Sequence, residues 1–319
     1  MCTLNPLQRC QRPDGGFTLL EMLVVIGVLS VLMGMSIGYL QRTDPTAIGN
    51  AVLAGELRAA QLTARAEGAP TEVWLRPGKD AEASTVQARL LVPAVAFRFE
   101  PNAGALDETL VAELSGEVVP NGRFGHARRS RPGDKQALLR WPTPPSVLDL
   151  SDGFVVRCDV FLEQRARAAL LRMQPAFDLQ LEDDLRLVAR FRLRGPGGEG
   201  TVLASVKSTL ALPLRQWCTV DLGCDGSTVW LSLDGRELAR EVAAGSPLQE
   251  LASVFEMSPP EAPLAGVIDE VRWFVYAFSP AQLMPIELQF RAAYRFGFDA
   301  RGEATERPTV QYVATQGGS

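Results

Sequence analysis

The chain has one histidine, His126, and five cysteines in 319 residues. A lone histidine removes most of the room for a histidine-dependent catalytic triad. Cys218 and Cys224 stand six apart with no second pair and no histidine cluster, so a zinc site is excluded. Charge of one sign is not in large excess either. The net charge is −5 and the pI near 5.2, and nothing global points to nucleic acid. No dense Asp/Asn loop of the calcium-binding kind occurs. Asp159, Asp221, Asp225 and Asp234 are scattered oxygen donors, and no metal or other cofactor is assigned to them. Calcium remains an open alternative. A second apolar run of membrane length is also missing, which concentrates attention on the first.

That run extends from Phe17 to Tyr39, 23 residues in which Glu21 is the one ionisable group before Tyr39. At about 1.5 Å per residue it spans a bilayer core of about 30 Å. A secretory signal has an apolar region of about 7–15 residues followed by small residues at its cleavage site. Here the run is longer, and Gly15-Gly16 come before it. A carboxylate in hydrocarbon costs at least about 2.5–3.5 kcal/mol, so Glu21 needs a partner. No Lys or Arg lies within the run. Cleavage after Gly16 would free an α-amino group on Phe17, four residues from Glu21, able to pair with the glutamate of a neighbouring helix. Arg9 and Arg12 precede the run and stay cytoplasmic by the positive-inside rule, so the bulk of the chain faces the periplasm.

Gly16-Phe17-Thr18-Leu19-Leu20-Glu21 followed by an apolar helix resembles the leader of type IV pilins and type II secretion pseudopilins. The resemblance implies cleavage after Gly16 by a prepilin peptidase, N-methylation of Phe17, and filament assembly guided by Glu21. It implies other pilins or pseudopilins as partners and a single-pass anchor in the inner membrane. An unprocessed anchor is the alternative.

Behind the run, Thr43-Asp44-Pro45 interrupts the helix. Helical periodicity resumes over 46–66, with Ile48, Val52, Leu53, Leu57 and Ala60 on one face and Gly68 as the C-cap. Residues 71–76 and 84–93 read as strands. This helix-then-strand order resembles the H-type minor pseudopilins (GspH- and FimT-like). From about 93 to 285 many short strands alternate with Gly, Pro and Asp turns, including 154–162, 176–181, 185–193, 217–222, 229–233 and 267–276. Regular short strands of this kind predict an all-β sandwich. Gly122-Arg123-Phe124-Gly125, Asp152-Gly153-Phe154, Val229-Trp230-Leu231 and Gly266-Val267-Ile268-Asp269 make the segment similar to laminin-G-like, concanavalin-A-type jelly rolls. Runs at 288–298 and 308–314, around Asp299-Ala300-Arg301-Gly302, resemble the terminal hairpin of the H-type pseudopilins.

The expected fold class is therefore α+β: a long N-terminal transmembrane pilin helix with a small β-domain, plus an all-β jelly roll. The expected organisation is a leader at 1–16, pilin helix and first strands at 17–92, an inserted jelly roll at 93–285 and returning pilin-type strands at 286–319. In the sandwich no Glu-x-Asp-x-Glu run supplies the paired carboxylates, about 5 Å apart, of a retaining glycosidase. Glu182-Asp183-Asp184 reads as a turn, and the adjacent Asp269 and Glu270 point to opposite faces of a strand. No catalytic residue is assigned. Arg123, Arg128, Arg129 and Arg131, with Lys135 and Arg140, form a basic run in which Asp134 is the one acid. It is a candidate DNA or anion patch, without the interleaved aromatics of a single-strand binder, so nucleic acid is not the expected partner. A glycan, a secreted cargo or the secretin is, and the alternative functions are a membrane-anchored carbohydrate-binding or adhesive protein and a FimT-like DNA-uptake minor pilin. The Cys158, Cys218 and Cys224 left after cleavage allow one disulfide and a free thiol, or three reduced side chains.

Overall fold

The computed structural model describes residues 44–78, 82–99, 112–198 and 200–314. Gly16, Phe17, Glu21 and the apolar run lie outside these residues. Among the described residues no helix is long and apolar enough to cross a membrane.

Helix α1 is Pro45–Glu67. Pro45 opens it, because the first helical position needs no N–H partner and its fixed φ suits the helix. The Asp44 carboxylate caps it by accepting from Thr46 N–H at 2.9 Å. Gly68 closes it at φ 63°, the left-handed conformation that only glycine adopts without strain. The expected apolar face is largely present. Ala60 and Ala64 are fully buried, and Val52, Leu53 and Leu57 pack beside them. Ile48 does not belong to it and is 42% exposed.

The strands follow in chain order: β1 Thr71–Arg76, β2 Thr85–Phe97, β3 Glu113–Leu114, β4 Glu117–Val119, β5 Ala127–Ser130, β6 Leu139–Pro142, β7 Phe154–Leu162, β8 Ala168–Gln174, β9 Phe177–Leu181, β10 Arg186–Arg194 and β11 Thr201–Ala211. They continue with β12 Trp217–Cys224, β13 Thr228–Leu233, β14 Arg236–Val242, β15 Ser246–Pro247, β16 Val254–Met257, β17 Gly266–Phe278, β18 Gln282–Leu283, β19 Leu288–Phe290, β20 Tyr294–Phe298, β21 Ala304–Glu306 and β22 Tyr312–Ala314. One sheet runs β14-β13-β12-β7-β17-β2-β1-β20-β21, and the second runs β11-β10-β9-β8-β16-β6-β3. Every strand pair in both is antiparallel. The two sheets pack face to face as a β-sandwich around one shared core, so the protein is mostly β with one described α-helix.

The sandwich core is aromatic at its centre. Trp273 meets Phe255 edge-on at 4.9 Å and Phe154 at 5.5 Å, and Phe154 stacks on Phe177 at 5.1 Å. A second core lies between α1 and strands β1, β2 and β20, where Val73, Leu75, Val86 and Ala88 are fully buried.

The two cores share one sheet because β2 is longer than its sequence suggests. Residues 84–93 read as a strand ending at Pro93, but β2 runs on to Phe97. Residue 93, the expected edge of the jelly roll, thus lies inside a strand. Pro93 is tolerated because the register with β17 shifts there: Phe274 faces Pro93 while Trp273 faces Val95. On its other side β2 pairs with β1, and β1 pairs with β20 from the C-terminal region. The run expected at 288–298 is two strands: β19 pairs with β22, and β20 returns to β1. The Asp299–Gly302 turn does form a hairpin, between β20 and β21.

Candidate functional site

The junction of α1 with the sandwich is built around Arg157 of β7. In the run Phe154-Val155-Val156-Arg157-Cys158-Asp159, alternate side chains enter the core, so Arg157 and Asp159 project from the opposite face. Arg157 Nη2 donates to the carbonyl of Glu67, in the last turn of α1, at 2.8 Å. Its Nε donates to Asp221 Oδ1 on the adjacent β12 at 2.6 Å, and Ser232 Oγ donates to Asp221 Oδ2 at 2.9 Å. The guanidinium lies 5.4 Å from the Phe274 ring. Burial works against the Arg157 cation, but Asp221 and then Glu67 and Asp159 outweigh it and hold its pKa above the ordinary value. A C-terminal helix carbonyl and a buried carboxylate thus share one cation. Around it Ala69, Leu91, Val155, Trp230, Phe274 and Tyr276 form a small apolar cluster.

Arg89 of β2 makes the second tie. Its Nη2 donates to the carbonyls of Asp152 and Asp225, and its guanidinium lies 4.4 Å over the Tyr276 ring. Neither Arg89 nor Arg157 stands out along the chain as a functional residue. The available signal is an arginine within a mostly apolar strand.

The basic run acquires carboxylate partners from distant segments. Arg123 donates to Asp159 Oδ1 and Thr219 Oγ1, both at 2.7 Å. Arg129 pairs with Glu163 at 3.0 Å and with Glu117 at 3.3 Å, and Arg131 also pairs with Glu117. Arg140 lies 3.6 Å from Glu113 and 3.7 Å from Glu256. Arg128 donates to the carbonyl of Ser115 at 2.8 Å, and its burial lowers its pKa. The sequence shows one acid in this run, whereas the fold brings carboxylates from several distant segments onto it.

The four aspartates noted as oxygen donors are spread among separate tasks. Asp159 takes Arg123 and Thr219, and Asp221 takes Arg157 and Ser232. Asp225 closes a turn by accepting from the N–H groups of Ser227 and Thr228, and Asp234 accepts from Thr219 N–H. Among the described residues no three Asp, Glu, His or Cys side chains gather as metal ligands. Asp269 and Glu270 do not sit in a regular strand. The register between β17 and β7 shifts between Asp269 and Val271, and Glu270 has φ 36°. Asp269 is buried and accepts from Phe124 N–H at 2.8 Å, pinning the Gly122–Gly125 turn. Cys158, Cys218 and Cys224 are all buried and unbridged. Burial pushes the Cys218 and Cys224 thiols up to about 12 and Cys158 well above its ordinary value.

Residues 11–37 match the prokaryotic N-terminal methylation motif. The N-terminus is of prepilin type. The motif implies processing by prepilin peptidase, anchoring in the inner membrane and assembly of pilus or pseudopilus kind with other pilins. No curated protein matches the chain. Among solved structures, domain 4 of the extracellular arabinanase AbnA from Geobacillus stearothermophilus, in complex with arabinotriose, is similar over 60% of this chain and 95% of that one, at 16% identity and TM-score 0.39. A carbohydrate esterase from the Shiga toxin-encoding bacteriophage phi24B is similar over 59% and 100%, at 15% identity and TM-score 0.39. Trypanosoma rangeli sialidase in complex with sialic acid is similar over 58% and 30%, at 14% identity and TM-score 0.41. Likenesses this remote bear on neither ligand nor activity.

Proposed function

We propose that the chain is a minor pseudopilin-like structural component of a type II secretion or type IV pilus system, of the H type, carrying a laminin-G-like jelly roll inserted between its pilin strands. In this reading Gly16 and Phe17 form the cleavage site, Phe17 is methylated, and Glu21 directs assembly. The jelly roll contacts cargo, secretin or a glycan. The prepilin-type N-terminus supports the assembly role. The observation that supports a structural rather than a loosely tethered jelly roll is the tie at Arg157. Helix α1, which follows the apolar run in sequence, ends on a carbonyl held by the sandwich itself, and β2 belongs to both parts. Helix α1 and the sandwich are therefore held at a fixed orientation to one another.

The test is the mature N-terminus from native membranes, read by mass spectrometry, together with co-purification of other pilins. The expected result is N-methylated Phe17, with co-purification lost in Glu21→Ala. An intact Met1, or a cut beyond Tyr39, would overturn the reading.

A further inference from the structure

We propose that residues 283–286 and the first turn of α1 form an apolar collar that rests on the bilayer surface. The proposal rests on the reading in which the apolar run anchors the chain in the inner membrane, and adds a second contact with lipid.

The collar follows from how the chain packs between Leu283 and Leu288. Met284 and Leu288 are buried, whereas Leu283 is 68% and Ile286 60% exposed. Gly49 of α1 permits the close approach. A Cβ there would lie 2.7 Å from Leu288 Cδ1 and 2.8 Å from Met284 Cε. Backbone bonds hold the same segment. Met284 N–H donates to the carbonyl of Ser84 at 2.8 Å, and Leu288 N–H to that of Pro285 at 2.9 Å. Leu283 is also in register with Thr85 of β2. With Met284 and Leu288 turned onto the helix, Leu283 and Ile286 have no core to enter. Ile48, next to Gly49, adds a third exposed apolar side chain at the same end of α1.

Three observations select lipid as the partner. The first is place. Only residues 40–44 separate Tyr39, where the apolar run ends, from Pro45 at the start of α1. At about 3.3–3.6 Å per residue they keep Pro45 within about 22 Å of Tyr39, whatever their path. Gly49 lies about 6 Å along α1 from Pro45, and Glu67, tied to the sandwich, about 33 Å along it. The collar is thus at the end of α1 nearer the anchor, whereas the exposed Leu203, Val242 and Leu251 belong to the sandwich. The second is size. Three side chains fall far short of the roughly 20–30 residues a side of a stable protein interface. Apolar side chains at the boundary of headgroups and acyl chains need no shaped partner. The third is charge. The segments that form and flank the collar carry Asp44, Glu82 and Glu287 against Arg42 and Arg291. Without a basic excess there is no pull on anionic headgroups, so apolar insertion carries the contact and zwitterionic lipid suffices.

The experiment is fluorescence quenching in phosphatidylcholine vesicles that carry the full chain with Cys2→Ser and Cys10→Ser. The other three cysteines are buried, so a thiol label reports single Leu283→Cys, Ile286→Cys or Leu251→Cys variants. Lipid brominated near the top of its acyl chains should quench the labels at 283 and 286 at least about threefold more than the label at 251. High salt should leave that ratio unchanged. Leu283→Glu with Ile286→Glu, both at exposed positions, should cut the quenching of a label at Ile48→Cys by about half or more, with an unchanged thermal midpoint. Equal quenching at all three positions would overturn the proposal. So would a label at 283 that is shielded from aqueous iodide yet not reached by the lipid bromine, which would mean a protein partner. Flotation of the same vesicles is read in parallel. A chain that floats with unquenched labels keeps its anchor and loses the collar, whereas a chain that does not float loses both.

Discussion

Replacing Arg157 by methionine keeps most of the packing over Phe274 and removes the cation shared by Asp221 and Glu67. Asp221 is then left with Ser232 as its one hydrogen-bond donor, its side chain only 4% exposed. Breaking a buried pair by removing one partner costs about 3–5 kcal/mol, because the remaining charge is uncompensated. The lost bond to the helix carbonyl falls within the same range, since that end can recruit water. Taking about 4 kcal/mol, and about 2–4 °C per kcal/mol for large domains, the thermal midpoint should fall by about 8–16 °C. The assay is thermal unfolding of the processed chain in detergent, with hydrogen exchange across α1. The double variant Arg157→Met with Asp221→Leu removes both charges and should recover most of the loss, because an apolar replacement of a buried pair is often neutral. Exchange at 64–69 should stay fast in both, since neither restores the cap. A single variant that loses less than about 1 kcal/mol, or a double variant no better than the single, would refute the argument that Arg157 ties the helix to the sandwich.

Thiol counting tests burial and processing together. With Cys218 and Cys224 raised to about 12, a maleimide at pH 8 should label none of the three sandwich cysteines in the native mature chain. After denaturation it should label three, or five if Cys2 and Cys10 have not been removed. Rapid native labelling of Cys218 would contradict its burial. The pH dependence of stability gives another expectation. Burial raises the Asp159 pKa in the folded state, against Thr219, Arg123 and Arg272. Between its ordinary value of about 3.9 and the raised folded value, the native state holds more protons than the unfolded one. Its contribution to stability is therefore fully present below that window and declines as pH rises through it. Asp159→Asn should flatten this slope in denaturant titrations at stepped pH, and an unchanged slope would count against it.

Local chemistry alone determined much of this protein. The prepilin-type N-terminus is legible as a contiguous motif, because a peptidase reads neighbouring residues. Strands such as Phe154–Leu162 are legible because alternation has period two. Helix α1 ends where expected because Gly68 alone tolerates its cap. What depends on residues far apart could not be read in this way. Pro93 marks a break by propensity, yet a register shift against β17 carries β2 past it, so two expected units share one sheet. The basic run looks uncompensated along the chain, but Glu117, Glu163 and Asp159 reach it only after strands pair. Arg157 and Asp178 are isolated charged letters among mostly apolar neighbours. Their neighbours Asp221, Glu67 and Arg190 come from other strands and from the helix end. Pairing across strands is settled by register and sheet order, and those are properties of the tertiary structure.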